Sequence, residues 1–494
     1  MTASPTTSTA PGPGGNTPDA AGTRLVISLL LVSAFVVILN ETIMGVALPH
    51  LMKDLDITAG AAQWLTTAFM LTMAVVIPIT GFLLQRFNTR PVFLAAMSLF
   101  SAGTLIAAIA PGFEVLIVGR VVQATGTAIM MPLLMTTVMT LVAPAARGKT
   151  MGNISIVISV APAIGPTISG LILSVLDWRW MFILVLPIAL GSLALGAARI
   201  KNVTEPTRVP LDIVSVILSA FGFGGLVYGL SNLGQSATGS AAAGLVPLGI
   251  GGVAIALFVW RQLTLQRRDR ALLDLRTFVS RTFSLSIVML AVSMMALFGT
   301  LILLPIYMQN VLGLDALTTG LLLLPGGLTM GLLAPFVGRF YDRFGPTVLL
   351  VPGSIIVSAA FWFMTMLTAS SPFWWVLVAH VALSFGLAFL FTPLFTSALG
   401  SLKPKLYSHG SAVVGTVQQL AGAAGTALFI TVMSSTAATR MADGAREVAA
   451  TADGIQAAFV YGAIISLFAI PLAFFIRRPA LSATDAHDAP MMAH

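Results

Sequence analysis

One acidic side chain, Glu41, lies well inside an apolar stretch of this chain. It stands in the segment 38–43, whereas the other carboxylates fall in polar segments or at the ends of apolar ones. A charge at the centre of a bilayer costs about 2.5–3.5 kcal/mol, so a chain that keeps one usually uses it. A buried carboxyl group can exchange protons near neutral pH. We therefore predict that Glu41 is a proton or cation site; a packed polar group with one partner is the alternative.

Arg120 and His380 are two further ionisable residues within apolar stretches. With a rise of about 1.5 Å per residue, Arg120 lies at roughly the same depth as Glu41. Protonation of Glu41 would release a contact between them; a static ion pair that locks the bundle is the alternative. His380 titrates near physiological pH, so it is a second candidate for proton coupling. For His380 we favour a packing role held by a hydrogen bond.

The composition places most of the chain in a membrane. Hydrophobic residues make up 57% of it and charged residues 9%, against roughly 25% charged in soluble domains. The chain has no cysteine, which excludes disulfides and thiolate metal sites. The net charge of +8 is spread over short polar segments, a pattern typical of membrane topology and not of nucleic-acid binding.

Apolar stretches long enough to cross a bilayer predict an all-α polytopic membrane protein. An even number of spans places both termini on one side. Lysine and arginine crowd that side, which predicts cytoplasmic termini and a location in the cytoplasmic membrane. The predicted spans are 25–47, 64–84, 91–111, 115–142, 152–176, 179–199, 211–231, 243–263, 283–309, 317–338, 347–368, 373–400, 411–434 and 456–476.

A repeated segment indicates two related halves. Residues 81–87 end the second span, and residues 338–344, with a similar sequence, end the tenth. Repeated bundles that rock about a central cavity are typical of secondary carriers. The division that follows is a disordered tail at 1–23, a six-helix bundle at 24–200, two linker helices at 201–270, a six-helix bundle at 271–478 and a tail at 479–494.

The repeated segments predict a cytoplasmic gate, because polar side chains there can latch onto a neighbouring helix. Ordinary positive charge on the cytoplasmic side is the alternative for their arginines. The predicted gate residues are Gly81, Gln85, Arg86, Arg90, Asp342 and Arg343. No phosphate-binding P-loop pattern occurs, so we expect a proton gradient as the energy source and no cofactor.

Amide and thioether side chains in the spans are candidates for a substrate cavity. Amides can bind a substrate or link helices, and methionine adapts to varied apolar shapes. For a single methionine, ordinary packing is the favoured interpretation. The cavity candidates are Asn40, Gln123, Met131, Gln309 and Gln418. A cavity with few polar anchors suits bulky hydrophobic or cationic compounds better than sugars or phosphates.

Several motifs together resemble the major facilitator superfamily, and within it the fourteen-span drug:proton antiporters. The similar segments lie in the expected order on the first six spans, at 39–49, 81–90, 120–132, 165–170 and 178–187. The resemblance implies two six-helix bundles with two additional central helices. It also implies an exporter motif, in which backbone flexibility and close helix packing form a hinge or leak seal, at Gly165, Pro166 and Gly170.

The motifs depart from the family at several positions. The family usually has Asp where this chain has Gln85, and more often has its first-span carboxylate at the position of Asn40. The acid has therefore moved by one residue to Glu41, which is about 100° around a helix. Ala124 and Ser169 replace glycines with other small residues.

The function predicted from sequence is a proton-coupled antiporter that exports hydrophobic or cationic small molecules by alternating access. Its expected partners are the bilayer, protons and small-molecule substrates, and we expect a monomer. Export of an endogenous metabolite, lipid or amino acid is the nearest alternative. A proton-coupled importer and a non-transporting sensor or scaffold are the more distant ones. No nucleophile and base pair or metal cluster indicates an enzyme.

Overall fold

A computed structural model describes residues 20–202, 206, 210–235 and 242–477. In this part of the chain, 14 helices are long and apolar enough to cross a membrane. They are α1 (Ala20–Asp54), α2 (Ala59–Arg86), α3 (Thr89–Ala108), α4 (Phe113–Leu141), α5 (Arg147–Val175), α6 (Arg179–Arg199), α7 (Ile213–Gln235), α8 (Ala242–Leu265), α9 (Arg281–Ile306), α10 (Ala316–Phe344), α11 (Thr347–Met364), α12 (Phe373–Gly400), α13 (Tyr407–Ala442) and α14 (Glu447–Phe475).

Most of these helices extend beyond the apolar stretches that predicted them. α1 begins at Ala20, so the predicted N-terminal tail at 1–23 is too long by four residues; its first nineteen residues and the predicted tail at 479–494 lie outside the described part of the chain. α13 ends eight residues after its predicted span, and α14 begins nine residues before its own. An ion pair of 3.1 Å between Arg440 and Asp453 joins these extensions.

The helices pack as two groups. In the first, α1 packs against α2, α4, α5 and α6, while α3 packs against α4 and α6. In the second, α9 packs against α12, α13 and α14, while α11 packs against α12 and α14. We call the end of the bundle where α1 begins and α14 ends the basic face, and the opposite end the far face. The domain boundaries drawn from the sequence remain predictions.

The groups meet along two seams. At one seam α5 packs against α10 and α12, and at the other α13 packs against α2 and α4. The additional helix α7 packs against both α2 and α13, while α8 packs on α7. At the far end of α7, the rings of Trp64 and Tyr228 lie 5.8 Å apart. α7 therefore covers the second seam and links both groups of helices.

Asp212, which precedes α7, fastens this helix to the end of α8. Arg261 donates through Nε and Nη2 to the two carboxylate oxygens of Asp212 at 2.6 and 2.7 Å. The backbone N–H of Ser215 donates to the same carboxylate at 3.0 Å. The hydrogen bond from Arg261 and those from Ser215 lower the pKa of Asp212 to about 2.

Replacing Asp212 with asparagine is expected to lower the thermal stability of the protein, because Arg261 loses a bidentate charged partner. Hydrogen bonds to charged groups contribute about 1.5–3 kcal/mol. A carboxylate with a depressed folded-state pKa stabilises the fold above its unfolded pKa, near 3.9, and this contribution is lost as the pH falls through the folded-state pKa. Thermal unfolding of the purified protein should therefore show a constant deficit in the variant from about pH 8 to pH 5. A deficit that shrinks steadily over this range would contradict the ion pair.

Candidate functional site

Arg120 lies at the centre of a buried polar cluster in the first group of helices. Its Nη1 donates to Gln123 Oε1 at 2.6 Å and to Asn40 Oδ1 at 3.3 Å. Gln123 in turn donates from Nε2 to Thr104 Oγ1 at 2.8 Å. All four side chains are buried. The cluster joins α1, α3 and α4 through neutral acceptors, and no carboxylate forms a direct ion pair with Arg120 among the described residues.

The guanidinium of Arg120 also stacks on an aromatic ring of α2. Its Cζ lies 4.1 Å from the centroid of Phe69, within the range of a cation–π interaction. Two buried nitrogen atoms of the cluster, Arg120 Nε and Asn40 Nδ2, have no hydrogen-bond partner in the part of the chain that the structure describes. The cluster therefore stabilises a buried cation and still presents donors that an added acceptor could use.

Glu41 lies on the inward side of α1. Val37 and Met44 share its helix face, at intervals of four and three residues, and both are buried. The exposed stripe of α1, with Leu25 and Val32, lies on another side of the helix. Glu41 is half-buried, so neighbouring side chains cover it only in part at this depth of the bundle. Its carboxylate has no hydrogen-bond partner among the described residues.

Glu41 and Arg120 interact electrostatically without direct contact. The prediction that they lie at similar depth is confirmed, since Arg120 bonds to Asn40, the neighbour of Glu41 in the chain. The shift of the acid by one residue explains why the contact is indirect: Asn40 occupies the side of α1 that faces α4. The neutral Asn40 acceptor, Thr104 and Phe69 were not predicted as partners of Arg120, because their proximity arises from tertiary packing.

His380 lies in α12, in the second group of helices, and is 8% exposed. Its Nε2 is 3.1 Å from the carbonyl oxygen of Leu323 on α10, and its Nδ1 has no hydrogen-bond partner among the residues described. This matches the packing role favoured for it, while proton coupling stays a prediction. A second histidine, His409, is also buried and lies near the start of α13.

The remaining cavity candidates are dispersed. Asn40 and Gln123 belong to the Arg120 cluster. Met131 in α4 and Gln418 in α13 are half-buried, while Gln309 is exposed in a π-helical turn after α9. The structure therefore brings together Asn40 and Gln123 but not the other three candidates. A role in substrate binding stays a prediction for each of the five residues.

α5 approaches α1 closely at Gly165. A Cβ atom at this position would lie 2.3 Å from Thr42 Oγ1, so only glycine allows the contact. α5 is helical through Pro166. The expectation that Gly170 also permits a close approach is wrong, since Gly170 is exposed and a Cβ there would meet nothing within 4 Å. The helix turns Gly170 away from α1.

Replacing Gly165 with alanine is expected to reduce transport about tenfold, because the new methyl group displaces Thr42 and separates α1 from α5 next to Glu41. Gly170→Ala is the matched control, since it adds the same methyl group to the same helix in open space. Initial transport rates of the two variants, divided by the amount of folded protein, measure the effect. Equal rates would show that the close approach of α1 and α5 does not matter for transport.

At the basic face, Asp342 of α10 caps the N-terminus of α5. Its Oδ1 and Oδ2 accept hydrogen bonds of 2.8 Å from the backbone N–H groups of Gly148 and Lys149. Gly338 lies against Gly148, and a Cβ on Gly338 would lie 2.2 Å from the Gly148 carbonyl oxygen. A carboxylate at a helix N-terminus is favoured by the exposed N–H groups and the helix dipole. Asp342 therefore connects the two groups of helices.

The equivalent position in the first group makes a weaker connection. Gln85 of α2 donates from Nε2 to the Lys405 carbonyl oxygen at 3.4 Å, just before α13. Gly81 lies against the start of α13, where its Cβ would be 3.2 Å from His409 Nδ1. The two segments of the internal repeat thus occupy equivalent places, but of the equivalent residues Gln85 and Asp342 only Asp342 carries a charge.

The arginines of the predicted gate have separate surroundings. Arg90 donates from Nη2 to the Ala197 carbonyl oxygen at 2.7 Å, a contact within the first group of helices. Arg86 and Arg343 lie near the rings of their neighbours Phe87 and Phe344. Arg90 therefore does not bridge the two groups through this bond, which agrees with the alternative of ordinary positive charge.

Contacts between the two groups extend from the basic face to about the middle of the bundle. Thr392 donates to Ser155 at 2.8 Å and Thr136 donates to Ser411 at 3.1 Å. α5 meets α10 as far as Gly327, where a Cβ would lie 2.0 Å from the Ala163 side chain. The described bundle is thus closed toward its basic face, and Glu41 lies at about the depth where these contacts end, since its neighbour Thr42 meets Gly165 of α5.

Comparison with known proteins identifies the family. The chain matches the Major Facilitator Superfamily over residues 30–426. It is 43% identical to the lincomycin resistance protein LmrB of Listeria monocytogenes over 92% of this chain and 96% of that protein. It is 29% identical to the multidrug resistance protein B homolog of Mycobacterium tuberculosis, over 79% of this chain and 72% of that protein.

Solved structures agree on the fold. The human organic anion transporter MFSD10 (TETRAN) superposes with a TM-score of 0.65 at 15% identity, over 91% of this chain and 99% of that one. The proton:xylose symporter XylE superposes with a TM-score of 0.61 at 14% identity, over 92% and 96% of the two chains. The chain therefore belongs to the major facilitator superfamily, and is a multi-pass membrane transporter of small molecules rather than an enzyme.

Proposed function

We propose that this protein is a proton-coupled antiporter that exports hydrophobic or cationic small molecules, including antibiotics, across the cytoplasmic membrane. The observation that carries the proposal is the half-buried carboxylate of Glu41, which has no hydrogen-bond partner among the described residues and lies within electrostatic reach of the buried Arg120. A carboxylate in this position can bind a proton without first breaking a direct ion pair.

Proton access in the proposed cycle follows from the closure at the basic face. The excess of lysine and arginine at that face supports a cytoplasmic location for it and for both termini. Glu41 lies at the edge of this closure, and in the proposed cycle a proton reaches it from outside the cell. Reopening at the basic face would then release the proton to the cytoplasm. Coupling requires that substrate and proton do not occupy the site together.

The substrate class is proposed from the relatives and from the lining of the bundle. Relatives of this chain are named for resistance to lincomycin and to multiple drugs. The buried interior of the described bundle is largely apolar, and its buried amides are Asn40, Gln123 and Gln262, which suits varied lipophilic compounds. The membrane potential supplies about 2.3 kcal/mol per 100 mV of free energy for each net elementary charge that crosses the membrane. Exchange of one monovalent cation for one proton would therefore use only the pH gradient.

Proton movement in proteoliposomes tests this function. Protein reconstituted under an imposed pH gradient would be challenged with lincomycin and a panel of lipophilic cations while internal pH is recorded. We expect these compounds to trigger proton movement that protein-free vesicles lack. Proton movement triggered only by endogenous lipids, amino acids or metabolites would overturn drug export in favour of a specific exporter. Transport of lincomycin without proton movement would overturn proton coupling.

A further inference from the structure

The segment that joins α8 to α9 carries an excess of positive charge. We call residues 266–281 the linker segment. Arg276 pairs with Asp274 at 2.6 Å and also with Asp269, which uses both of the carboxylates in the segment. The other arginines of the segment have no carboxylate partner among the described residues. They are Arg267, Arg268, Arg270 and Arg281.

Apolar side chains of the linker segment are exposed beside these arginines. Val279 is 83% exposed and Phe278 is 41% exposed. Trp260, about two turns before the segment on α8, is 68% exposed. Exposed tryptophan is typical of the boundary between the bilayer and water. The charged and apolar side chains together are typical of an element that lies in the headgroup region of a membrane.

The linker segment is also attached to the loop that precedes α13. Ser280 Oγ donates to Ser401 Oγ at 2.9 Å. Lys405 is close enough to Asp269 to interact with it electrostatically. The carbonyl of Lys405 accepts the hydrogen bond from Gln85 at the basic-face closure. The positive surface therefore continues from the linker segment to the loop at one seam of the transporter.

We propose that the linker segment binds the headgroups of anionic phospholipids from the surrounding bilayer. The unpaired arginines supply the charge that attracts a phosphate-bearing headgroup. The exposed side chains of Phe278 and Val279 favour a membrane surface over a soluble anion or nucleic acid as the ligand. Only a bilayer offers an apolar layer beside the phosphates, into which these side chains can insert. The bound lipid would hold the linker segment against the membrane next to the Gln85 contact.

Lipid binding to the full chain tests the proposal. Purified protein would be titrated with phosphatidylglycerol or phosphatidylcholine in mixed micelles, and bound lipids counted by native mass spectrometry. Arg267→Gln, Arg268→Gln and Arg270→Gln would be combined in one linker variant. The matched control combines Arg24→Gln, Arg199→Gln and Lys201→Gln, which removes the same charge from exposed positions at the ends of α1 and α6.

We expect the wild type to prefer phosphatidylglycerol and the linker variant to bind it roughly a hundredfold more weakly, since each cation near an anionic surface contributes about fivefold. The control should keep the preference. Equal losses in the linker variant and the control would overturn a specific lipid site. Phosphatidylglycerol binding that inorganic phosphate displaces at low concentration would show a soluble-anion site and also overturn the proposal. Phe278→Ser combined with Val279→Ser should weaken lipid binding without changing phosphate binding.

Discussion

Replacing Glu41 with glutamine is expected to abolish substrate-triggered proton movement in proteoliposomes while the protein stays folded. Glutamine has nearly the same shape as glutamate and cannot exchange a proton at neutral pH. Because the Glu41 carboxylate has no hydrogen-bond partner among the described residues, the substitution leaves no buried donor newly unpaired. Because glutamine mimics the protonated carboxyl group, and proton and substrate exclude each other in the proposed cycle, substrate binding measured by tryptophan fluorescence or by isothermal calorimetry should weaken.

Two control variants separate proton coupling from the structure of the Arg120 cluster. Glu41→Asp keeps a titratable group and should retain proton movement at a lower rate. Asn40→Ala removes a neutral acceptor of Arg120 without removing the proton-binding group, so transport should slow while each cycle still moves protons. Proton movement that persists unchanged in Glu41→Gln would place the coupling elsewhere, and His380 would be the next residue to replace.

The number and order of the helices could be predicted from the sequence, because crossing a bilayer demands long apolar helices. The ends of the helices could not be predicted, because helical structure continues past the apolar stretches on which the prediction rests. α6 begins and ends as predicted, at Arg179 and Arg199, whereas α14 begins at Glu447, nine residues before its predicted span. The apolar pattern indicates which residues can cross the bilayer, and it carries no information on how far the helix continues beyond them.

The candidate site was predictable only in part. Burial of Arg120 and its depth beside Glu41 followed from their place in apolar helices. The direction of each side chain did not, because a one-residue shift rotates it by about 100° and only packing shows which neighbour it meets. Asn40 consequently takes the place beside Arg120. The Asp342 cap was foreseen as a latch, but its partners, the first N–H groups of α5, depend on how the two groups of helices dock.

The second large effect concerns the closure at the basic face. Replacing Asp342 with alanine is expected to shift the population toward a conformation that is open at this face. The substitution removes two hydrogen bonds of 2.8 Å to the N-terminus of α5. Each hydrogen bond to a charged group contributes about 1.5–3 kcal/mol, so the equilibrium should move by at least about tenfold. These bonds join the two groups of helices, so opening at this face would have to break them, and their loss is expected to change the balance between conformations.

Distances between pairs of labels can measure this shift, since the chain has no cysteine and introduced cysteines need no background substitutions. Spin labels at Ala145 and Phe344 would span the two groups of helices at the basic face, and labels at Lys53 and Ser370 would span them at the far face; all four positions are exposed. In Asp342→Ala the first distance should lengthen and the second should shorten. Unchanged distances would contradict a gating role for Asp342.

Asp315 provides the matched control, since it caps α10 by accepting from the N–H and Oγ1 of Thr318 at 2.9 and 2.7 Å, within one group of helices. Asp315→Ala should lower thermal stability without changing either label distance. Gln85→Asp provides the opposite change, because it places a carboxylate near the N-terminus of α13, at the position equivalent to Asp342. It should favour closure at the basic face and slow the uptake of substrate from that side. Opposite shifts from Asp342→Ala and Gln85→Asp would show that charge at the two repeated segments sets the balance between the conformations.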